Sequence, residues 1–302
     1  MTVIMDCKNL FQNVSDEIRK DVRMLKEEKG IIPCLAALLV GDDPVSQTYV
    51  SLKEKDCEKV GIESKVYKMF ECPPDKRNKE VLDTIRKLNN DPQIHGILIQ
   101  LPFPDFINKE EVFETLSPKK DVDGLTPYNM GKIILGEYTM ENSFIPCTPK
   151  GAVVILNHFG IEVAQKDVVI VGRSALVGEP LRKLLQDKDA TVTCVHRKTE
   201  NMKKRLQEAD IVVAAAGRPP ELYPKDSFRL TAEMVKEKVV VLGIGVRRDQ
   251  GTGKLVFDID FDDLKEKASY ITPNTGSTGL MTRGMLMKNT IIAAKRLADY
   301  NP

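Results

Sequence analysis

The chain has 302 residues, of which 42% are hydrophobic and 29% are charged, so it is long enough to bury two ordinary cores and we expect two domains. Its 45 basic and 44 acidic residues leave a net charge of +1, which provides no long-range field to favour nucleic acid or a membrane as partner. The N-terminus lacks a secretion-signal layout, and no apolar run reaches about 18 residues. We therefore expect a cytoplasmic protein, although a removed targeting segment would leave no trace.

The cysteines are far apart, form no Cys-x-x-Cys pair and mostly lie in apolar surroundings. This pattern predicts buried thiols in a reducing compartment. With only 3 histidines in the chain, we expect no metal site. The cysteines are Cys7, Cys34, Cys57, Cys72, Cys147 and Cys194.

The first part of the chain predicts an α/β arrangement. Apolar residues recur every three or four positions from Leu10 to Leu25, which indicates an amphipathic helix ending near Gly30. Cys34 to Val40 is a continuous apolar run, typical of a buried parallel strand. A turn follows that contains Asp43, a suitable N-cap for the next helix.

That next helix carries Tyr49 and Lys53, which are four residues apart and so lie on one face near its start. Its start follows the carboxyl end of the preceding strand, the edge at which open α/β sheets bind their ligands. The pair therefore predicts a functional site. The alternative is a surface tyrosine that rests on a lysine stem.

Two further segments place polar groups after apolar ones. Ile94 to Ile99 predicts another buried strand, and the prolines that follow Gln100 predict a rigid loop that holds this side chain at the strand end. Asp121 and Asp123 lie in an acidic turn, and no further oxygen ligands follow at the spacing of a calcium loop. The more specific interpretation is that one of these carboxylates accepts hydrogen bonds from the N–H groups of a heterocycle. The alternative is that both are solvated acids of a turn.

The second half contains a strand, a glycine turn and a helix. The β-branched run from Asp167 to Val171 ends at Gly172, and Gly178 opens a helical pattern after Arg173 and Ser174. Such a turn can place backbone N–H groups against a phosphate. The spacing is Gly-Arg-Ser-x-x-Val-Gly instead of Gly-x-Gly-x-x-Gly, so a plain glycine turn remains the alternative.

The next predicted strand, Ala190 to Val195, ends in basic residues. A dinucleotide domain places its ribose-recognising residue there, about twenty residues after the glycine turn, and an acid would indicate NAD. This chain has His196 and Arg197, and cations suit the additional 2′-phosphate of NADP. A solvated basic corner is the other interpretation.

The remaining strands also end in glycine turns, at Ala216-Gly217 and at Gly243, which we expect along the same edge. A loop rich in hydroxyl groups and glycine runs from Ile271 to Gly279, and a final apolar helix from Met281 to Ala298 is expected to pack back on the first domain.

These observations predict two α/β domains, the second a Rossmann-like parallel sheet. We place the boundary near Thr148. The expected division is a first domain of residues 1–148, completed by the C-terminal helix at 280–302, and a nucleotide-binding domain of residues 149–279.

Several motifs occur in a fixed order along the chain. They are Tyr49-x-x-x-Lys53, Gln100-Leu-Pro-Phe-Pro104, Lys120-Asp-Val-Asp123-Gly124, Pro146-Cys-Thr-Pro149 and Gly172-Arg-Ser-x-x-Val-Gly178-x-Pro180. Together they closely resemble the methylenetetrahydrofolate dehydrogenase/cyclohydrolase family, and the resemblance covers nearly the whole chain. It implies oxidation of 5,10-methylenetetrahydrofolate with NADP, hydrolysis of the methenyl product to 10-formyltetrahydrofolate, and a homodimer formed through the nucleotide domains.

The resemblance also implies residue roles. Lys53 resembles the catalytic lysine, Gln100 its hydrogen-bonding partner and Tyr49 a ring that positions the substrate. Further substrate contacts are implied for Asp123, which resembles the anchor of the pterin amino group, and for Gly276 and Thr278. Cofactor contacts are implied for Gly172, Arg173, Ser174, Gly178, His196, Arg197, Ala216, Gly217, Gly243 and Thr278.

One segment departs from the family pattern. The family usually has Pro-Gly-Gly-Val-Gly-Pro-Met-Thr, whereas this chain has Thr275-Gly-Ser-Thr-Gly-Leu-Met-Thr282. The change alters permitted backbone angles and stiffness, so it puts the balance of the two activities in doubt. The alternatives are a dehydrogenase with weak or absent cyclohydrolase activity and a non-catalytic folate- or nucleotide-binding protein. A short-chain dehydrogenase, which also uses Tyr-x-x-x-Lys, is disfavoured because Tyr49 lies far upstream of the glycine turn.

Overall fold

The computed structural model describes residues 1–69, 74–223, 225, 227–249 and 251–300. These residues form two compact units, which we name by their sheets. The three-stranded unit comprises residues 12–147 and 283–302, and the six-stranded unit comprises residues 1–11 and 148–282. The division differs from the expected one mainly at the N-terminus, where the first eleven residues lie in the six-stranded unit because a short N-terminal strand extends its sheet.

The strands, numbered in chain order, are β1 (Val3–Ile4), β2 (Cys34–Val40), β3 (Glu63–Met69), β4 (Gly96–Gln100), β5 (Asp167–Val171), β6 (Thr191–Val195), β7 (Ile211–Ala214), β8 (Val240–Gly243), β9 (Val246–Arg248), β10 (Leu255–Phe257) and β11 (Tyr270–Ile271). The α-helices are α1 (Lys8–Lys29), α2 (Pro44–Val60), α3 (Pro74–Asn90), α4 (Lys109–Thr115), α5 (Pro127–Leu135), α6 (Cys147–His158), α7 (Gly178–Gln186), α8 (Met202–Glu208), α9 (Phe261–Leu264) and α10 (Thr278–Tyr300).

The three-stranded unit is built on a parallel sheet in the order β3-β2-β4. Every residue of β2 is buried, as its continuous apolar sequence predicts for a central parallel strand. Apolar side chains of α3, among them Ile85 and Leu88, belong to the same buried cluster as β2. Because the strands are parallel, their carboxyl ends lie at one edge, where α2 begins after β2 and Gln100 ends β4.

The six-stranded unit contains a parallel sheet in the order β1-β11-β8-β7-β5-β6. Strand β5 pairs with β6 on one side and with β7 on the other, so the chain changes direction across the sheet at β5. Such a switch point leaves a crevice at the carboxyl ends of the two strands that flank it. The α/β fold class predicted from the sequence is therefore confirmed.

The C-terminal helix α10 packs on the three-stranded unit from Arg283 onward, as predicted. Its buried Asn289 donates from Nδ2 to the backbone oxygens of Val122 (2.8 Å) and Ile145 (3.2 Å). The helix begins at Thr278, three residues before the predicted start, and the Met281 N–H donates to the Ser277 carbonyl. The end of the predicted hydroxyl-rich loop is therefore helical.

Four of the predicted buried thiols, Cys7, Cys34, Cys57 and Cys147, are buried, whereas Cys194 is half-buried and Cys72 lies outside the described residues. In the part of the chain that the structure describes, no helix is both long and apolar enough to cross a membrane. Nor do the same residues include a group of three or more His, Cys, Asp or Glu side chains arranged to hold a metal ion.

We predict that Gly178→Ala destabilises the six-stranded unit. A Cβ at residue 178 would lie 2.3 Å from the Gly172 carbonyl oxygen, so the backbone would have to move. Such overpacking costs about 1–3 kcal/mol of the free energy of unfolding. The control is Gly131→Ala in α5, where a Cβ meets nothing within 4 Å. Because alanine loses less backbone entropy on folding than glycine does, this change should raise the free energy of unfolding by about 0.5–1 kcal/mol. Urea denaturation measures both, and equal effects at the two positions would refute the close-packing argument.

Candidate functional site

The first group of candidate residues lies at the carboxyl edge of the β3-β2-β4 sheet. Gly41 leaves β2 with φ +85°, and Asp43 caps α2 by accepting from the Ser46 N–H at 2.8 Å. This turn starts α2 directly after the strand. Tyr49 and Lys53 are the sixth and tenth of the 17 residues of α2, so Lys53 lies near the middle of the helix and not at its start, where the sequence pattern placed the pair.

Lys53 Nζ donates to Gln100 Oε1 at 2.9 Å, which joins α2 to the end of β4. Gln100 is 9% exposed, and its Nε2 donates to the Leu101 carbonyl at 2.7 Å. Because the amide nitrogen is engaged in this way, the amide oxygen faces the lysine. The structure thus brings together two side chains that are distant in sequence and holds one of them in a fixed orientation.

The two acids of the predicted turn have different surroundings. Asp121 accepts from the N–H groups of Leu125 (3.1 Å) and Thr126 (2.8 Å) and from Asn129 Nδ2 (2.8 Å), so it stabilises its own turn. Asp123 is half-buried and accepts from the Cys147 N–H at the longer distance of 3.4 Å. Of the pair, Asp123 is the acid with capacity for a ligand.

Desolvation controls the ionisation of this site. Burial lowers the pKa of Lys53 from its usual 10.5, opposed mainly by the negative charge of Asp123. Burial likewise raises the pKa of Asp123 from its usual 3.8, opposed by the charge of Lys53. Each group thus shifts toward its neutral form, which for Lys53 is an amine that can accept a proton.

An ion pair that the sequence did not predict lies one turn along α2. Arg283 Nε is 2.7 Å from Asp56 Oδ2, and both side chains are largely buried. The positive charge of Arg283 also lowers the pKa of Lys53. The helical spacing of Asp56 from Lys53 is visible in the sequence, but its partner comes from α10, far along the chain.

The second group of candidate residues lies at the switch point of the six-stranded sheet. Gly172 directly follows β5 with φ +126°, and a Cβ there would lie 2.4 Å from the Ala215 carbonyl oxygen. Glycine is therefore required by the approach of the turn after β7. Gly178 is required by its contact with Gly172, so both glycines bring backbone segments together at the start of α7.

A cleft of about 520 Å³ lies at these strand ends. Six of the predicted cofactor residues line it, namely Gly172, Arg173, Ser174, His196, Arg197 and Ala216. Three further polar residues that the sequence did not single out also line it, and they are Arg218, Lys225 and Ser227. Four cations and no acid are thus among the described residues of the lining, a composition that suits a ligand with several phosphates.

The other candidates in this unit do not line that cleft. Gly217 has φ +61° and shapes the turn after β7, whereas the Gly243 carbonyl accepts from Thr278 Oγ1 at 3.1 Å. Gly276, with φ +84°, accepts from the Cys7 N–H at 2.8 Å. Ser277, which replaces a family glycine, is 2% exposed and its hydroxyl contacts Cys7 Sγ at 3.4 Å.

A buried acid that the sequence did not predict as functional fixes one wall of the cleft. Asp258 is fully buried and accepts from the N–H groups of Gly217 (2.6 Å) and Arg218 (3.1 Å). Burial raises the pKa of this carboxyl, and those hydrogen bonds oppose the shift. Gly245 makes room for it, since a Cβ there would lie 1.8 Å from Asp258 Oδ2. Asp258 therefore sets the path of the backbone that carries Arg218.

Both halves of the chain match models of one protein family. Residues 5–123 match the family model "Tetrahydrofolate dehydrogenase/cyclohydrolase, catalytic domain", and residues 146–298 match the corresponding "NAD(P)-binding domain". A protein named bifunctional protein FolD from Pyrobaculum calidifontis is 45% identical over 298 residues, which cover 97% of this chain and 96% of the relative.

Solved structures give the same result. The bifunctional FolD enzyme of Campylobacter jejuni has a TM-score of 0.88 and 41% identity, with 98% of this chain and 99% of that chain covered. The FolD dehydrogenase-cyclohydrolase of Trypanosoma brucei, solved with NADP and an inhibitor, has a TM-score of 0.89 and 31% identity, with 100% and 99% covered. With two matched domain models, relatives over nearly the full length and the expected motifs in order, the chain belongs to the tetrahydrofolate dehydrogenase/cyclohydrolase family.

Proposed function

We propose that this protein oxidises 5,10-methylenetetrahydrofolate to the 5,10-methenyl form with NADP and hydrolyses the methenyl form to 10-formyltetrahydrofolate. The observation that carries the proposal is the hydrogen bond of 2.9 Å between Lys53 Nζ and Gln100 Oε1, at an amine whose pKa burial lowers. Such an amine can move a proton near neutral pH, which the hydrolytic step requires.

The switch-point cleft fits NADP. Its glycine turn lets backbone approach a phosphate, and Ser174 with the cations Arg173 and Arg197 offers hydrogen-bond donors for several phosphate oxygens. We assign Arg173 and Arg197 to the 2′-phosphate of NADP. Arg218, whose backbone N–H donates to Asp258, is assigned to the same phosphate. When bound, NADP supplies the acceptor of the hydride.

The oxidation step needs correct positions more than it needs a protein acid or base. The nitrogen next to the one-carbon bridge stabilises the cation that forms when hydride leaves, so the protein must hold the two reactants face to face. We assign Asp123 to the pterin N–H groups and the ring of Tyr49 to the face of the folate. We also assign Gly276 and Thr278 to folate binding, as the family motif implies.

The hydrolysis step uses Lys53 as the base. The neutral amine donates one hydrogen to Gln100 Oε1 and keeps its lone pair for a proton from the attacking water. The Leu101 carbonyl holds the amide nitrogen of Gln100, so the amide oxygen can orient the amine. Because an amide is neutral, Gln100 adds no charge to the site. A protonated Lys53 would then return the proton as the ring opens.

The altered segment 275–282 is compatible with both activities. The only residue of the segment with a left-handed φ is Gly276, at +84°, and it is still a glycine. Ser277 does not share such a conformation, so its Cβ causes no backbone strain there. An assay of NADPH formation, followed by loss of the methenyl absorbance, tests both steps, and a lack of the second signal would favour a dehydrogenase with little cyclohydrolase activity.

We also propose a cytoplasmic homodimer formed through the six-stranded units. Strand β6 is an edge of that sheet, and its residues from Thr191 to Cys194 are exposed or half-buried, so its backbone can pair with a second copy. Sedimentation of the purified chain tests the stoichiometry.

The cofactor assignment predicts that NADP is preferred to NAD. Arg173→Gln with Arg197→Gln should raise the Michaelis constant for NADP by about a hundredfold, since two charge-assisted contacts are lost, and should change that for NAD far less. The control removes two exposed lysines of the same unit outside the cleft, with Lys166→Gln and Lys254→Gln. Equal use of NADP and NAD by the unmodified protein would contradict the assignment.

The folate assignment predicts that Asp123→Ala weakens folate binding by about 2–4 kcal/mol, the scale for loss of a charged hydrogen-bonding partner. Isothermal titration with a folate ligand measures the affinity. Asp105→Ala removes an exposed acid of the same unit and serves as the control. If Asp123→Ala leaves the affinity unchanged, Asp123 is an ordinary turn acid.

The assignment of Lys53 predicts that the two steps separate. Lys53→Met keeps much of the stem volume and removes the amine, so cyclohydrolase activity should fall by about a hundredfold or more. Some dehydrogenase activity should survive, and methenyltetrahydrofolate should accumulate. Lys55→Met, an exposed lysine on the same helix, is the control. A proportional loss of both activities would show that Lys53 acts through binding or folding.

The lowered pKa of Lys53 also predicts a pH dependence. A base must be neutral, so cyclohydrolase activity should rise as the pH passes upward through the Lys53 pKa, which lies below the usual 10.5. Rates corrected for uncatalysed hydrolysis should lose this rise in Lys53→Met and retain it in Lys55→Met.

A further inference from the structure

The three-stranded unit contains a hollow of about 610 Å³ that the proposed reaction does not use. We call it the basic-aromatic hollow, and its characteristic lining residues are Lys119, Lys132, Arg296, Tyr128, Tyr138 and Phe144. None of Tyr49, Lys53, Gln100 and Asp123 lines it. It is larger than the cleft of about 520 Å³ at the switch point, and its volume is within the usual range of small-molecule sites, roughly 300–1,000 Å³.

The charge of this hollow favours an anion. Lys119, Lys132 and Arg296 line it, and none of the described lining residues is acidic. In the chain as a whole, basic and acidic residues are almost equal in number, at 45 and 44. Three cations therefore line one concave surface that has no acid among its described residues, a composition that favours an anionic ligand.

The aromatic residues favour a planar ring on that anion. Lys132 Nζ lies 5.0 Å from the centroid of the Tyr128 ring, and the Arg296 guanidinium carbon lies 4.9 Å from that of Phe144. Each cation is thus held beside a ring face. A planar ligand can stack on these rings or on the flat guanidinium, with its charged group toward the ammonium groups.

Two residues that line the hollow are connected to the turn that carries Asp123. Asn129 is 7% exposed, and its Nδ2 donates to Asp121 Oδ2 at 2.8 Å and to the Pro118 carbonyl at 3.1 Å. Phe144 also lines the hollow, and its carbonyl oxygen lies 2.5 Å from the position a Cβ would take at Gly124. A ligand that moves either wall therefore acts on the residues that flank Asp123.

From these observations we propose that the basic-aromatic hollow binds a small planar aromatic anion, meaning an aromatic ring that carries a phosphate or a carboxylate. Occupancy changes the affinity for folate through the Asp121–Gly124 turn. This second effect rests on the proposed role of Asp123, whereas binding to the hollow does not.

Calorimetric titration of the intact chain saturated with NADP tests the binding, because the switch-point cleft is then filled. Adenosine 5′-monophosphate is the probe for a ring with a phosphate, and 2-naphthoate is the probe for a ring with a carboxylate. At least one should bind with one site per chain, and the one that does identifies the anionic group. Binding should weaken at higher salt, since the lysines are near solvent.

Lys132→Gln with Arg296→Gln should weaken that binding by about tenfold or more, the effect of losing charged contacts. The matched control, Lys87→Gln with Lys109→Gln, removes two exposed cations of the same unit outside the hollow and should leave the affinity unchanged. Circular dichroism confirms that both variants fold. Binding of neither probe to the NADP-saturated protein, or equal weakening in the two variants, would overturn the proposed site.

The coupling is tested in the dehydrogenase assay. The probe that binds should change the Michaelis constant for methylenetetrahydrofolate by about twofold or more at saturating NADP, and the Lys132→Gln, Arg296→Gln variant should lose this response. An unchanged constant in the probe-saturated protein would overturn the coupling. Because the titration needs no turnover, failure of the proposed enzyme activity and failure of the hollow to bind are distinguishable.

Discussion

Parallel pairing of buried strands is the constraint on which both candidate sites depend. Strands β2 and β7 are apolar along their whole length and buried, so they offer no position for polar chemistry within the sheet. Parallel pairing then brings the segments that leave neighbouring strands to a common edge. In the three-stranded unit this places α2 beside the end of β4, and in the six-stranded unit it places Gly172 beside Ala215.

Burial at these edges gives the polar groups their chemistry. The Lys53 amine and the Asp123 carboxyl each shift toward the neutral form because desolvation outweighs their mutual attraction. Asp258 is buried too, but backbone N–H groups surround it, so it holds the turn after β7 in place. The two carboxyls thus differ, since Asp258 faces hydrogen-bond donors of the fold and the half-buried Asp123 retains capacity for a ligand.

The predicted cofactor residues fall into two groups according to what they contact. Arg173 and Arg197 line a cleft, whereas Gly178 and Gly243 act through the backbone contacts they permit or make. A glycine that is required for close packing and one that approaches a ligand give the same signal in a sequence. The two kinds of glycine are distinguished by what a Cβ added at that position would contact. At Gly178 the contact would be the Gly172 carbonyl oxygen, which shows that this glycine is required for close packing.

Local periodicity and turn chemistry were enough to predict the parallel α/β class, the capped start of α2 and the placement of Tyr49, Lys53 and Gln100 at a strand edge. Tertiary structure alone decided which acid of the turn is engaged by its neighbours, and that Arg283 pairs with Asp56. It also decided the burial of Asp258 beneath Arg218 and the convergence of Lys132 and Arg296. Apart from those of Asp121, which are made close to its own turn, these contacts join segments far apart in the chain, and their partners depend on packing geometry that no local pattern encodes.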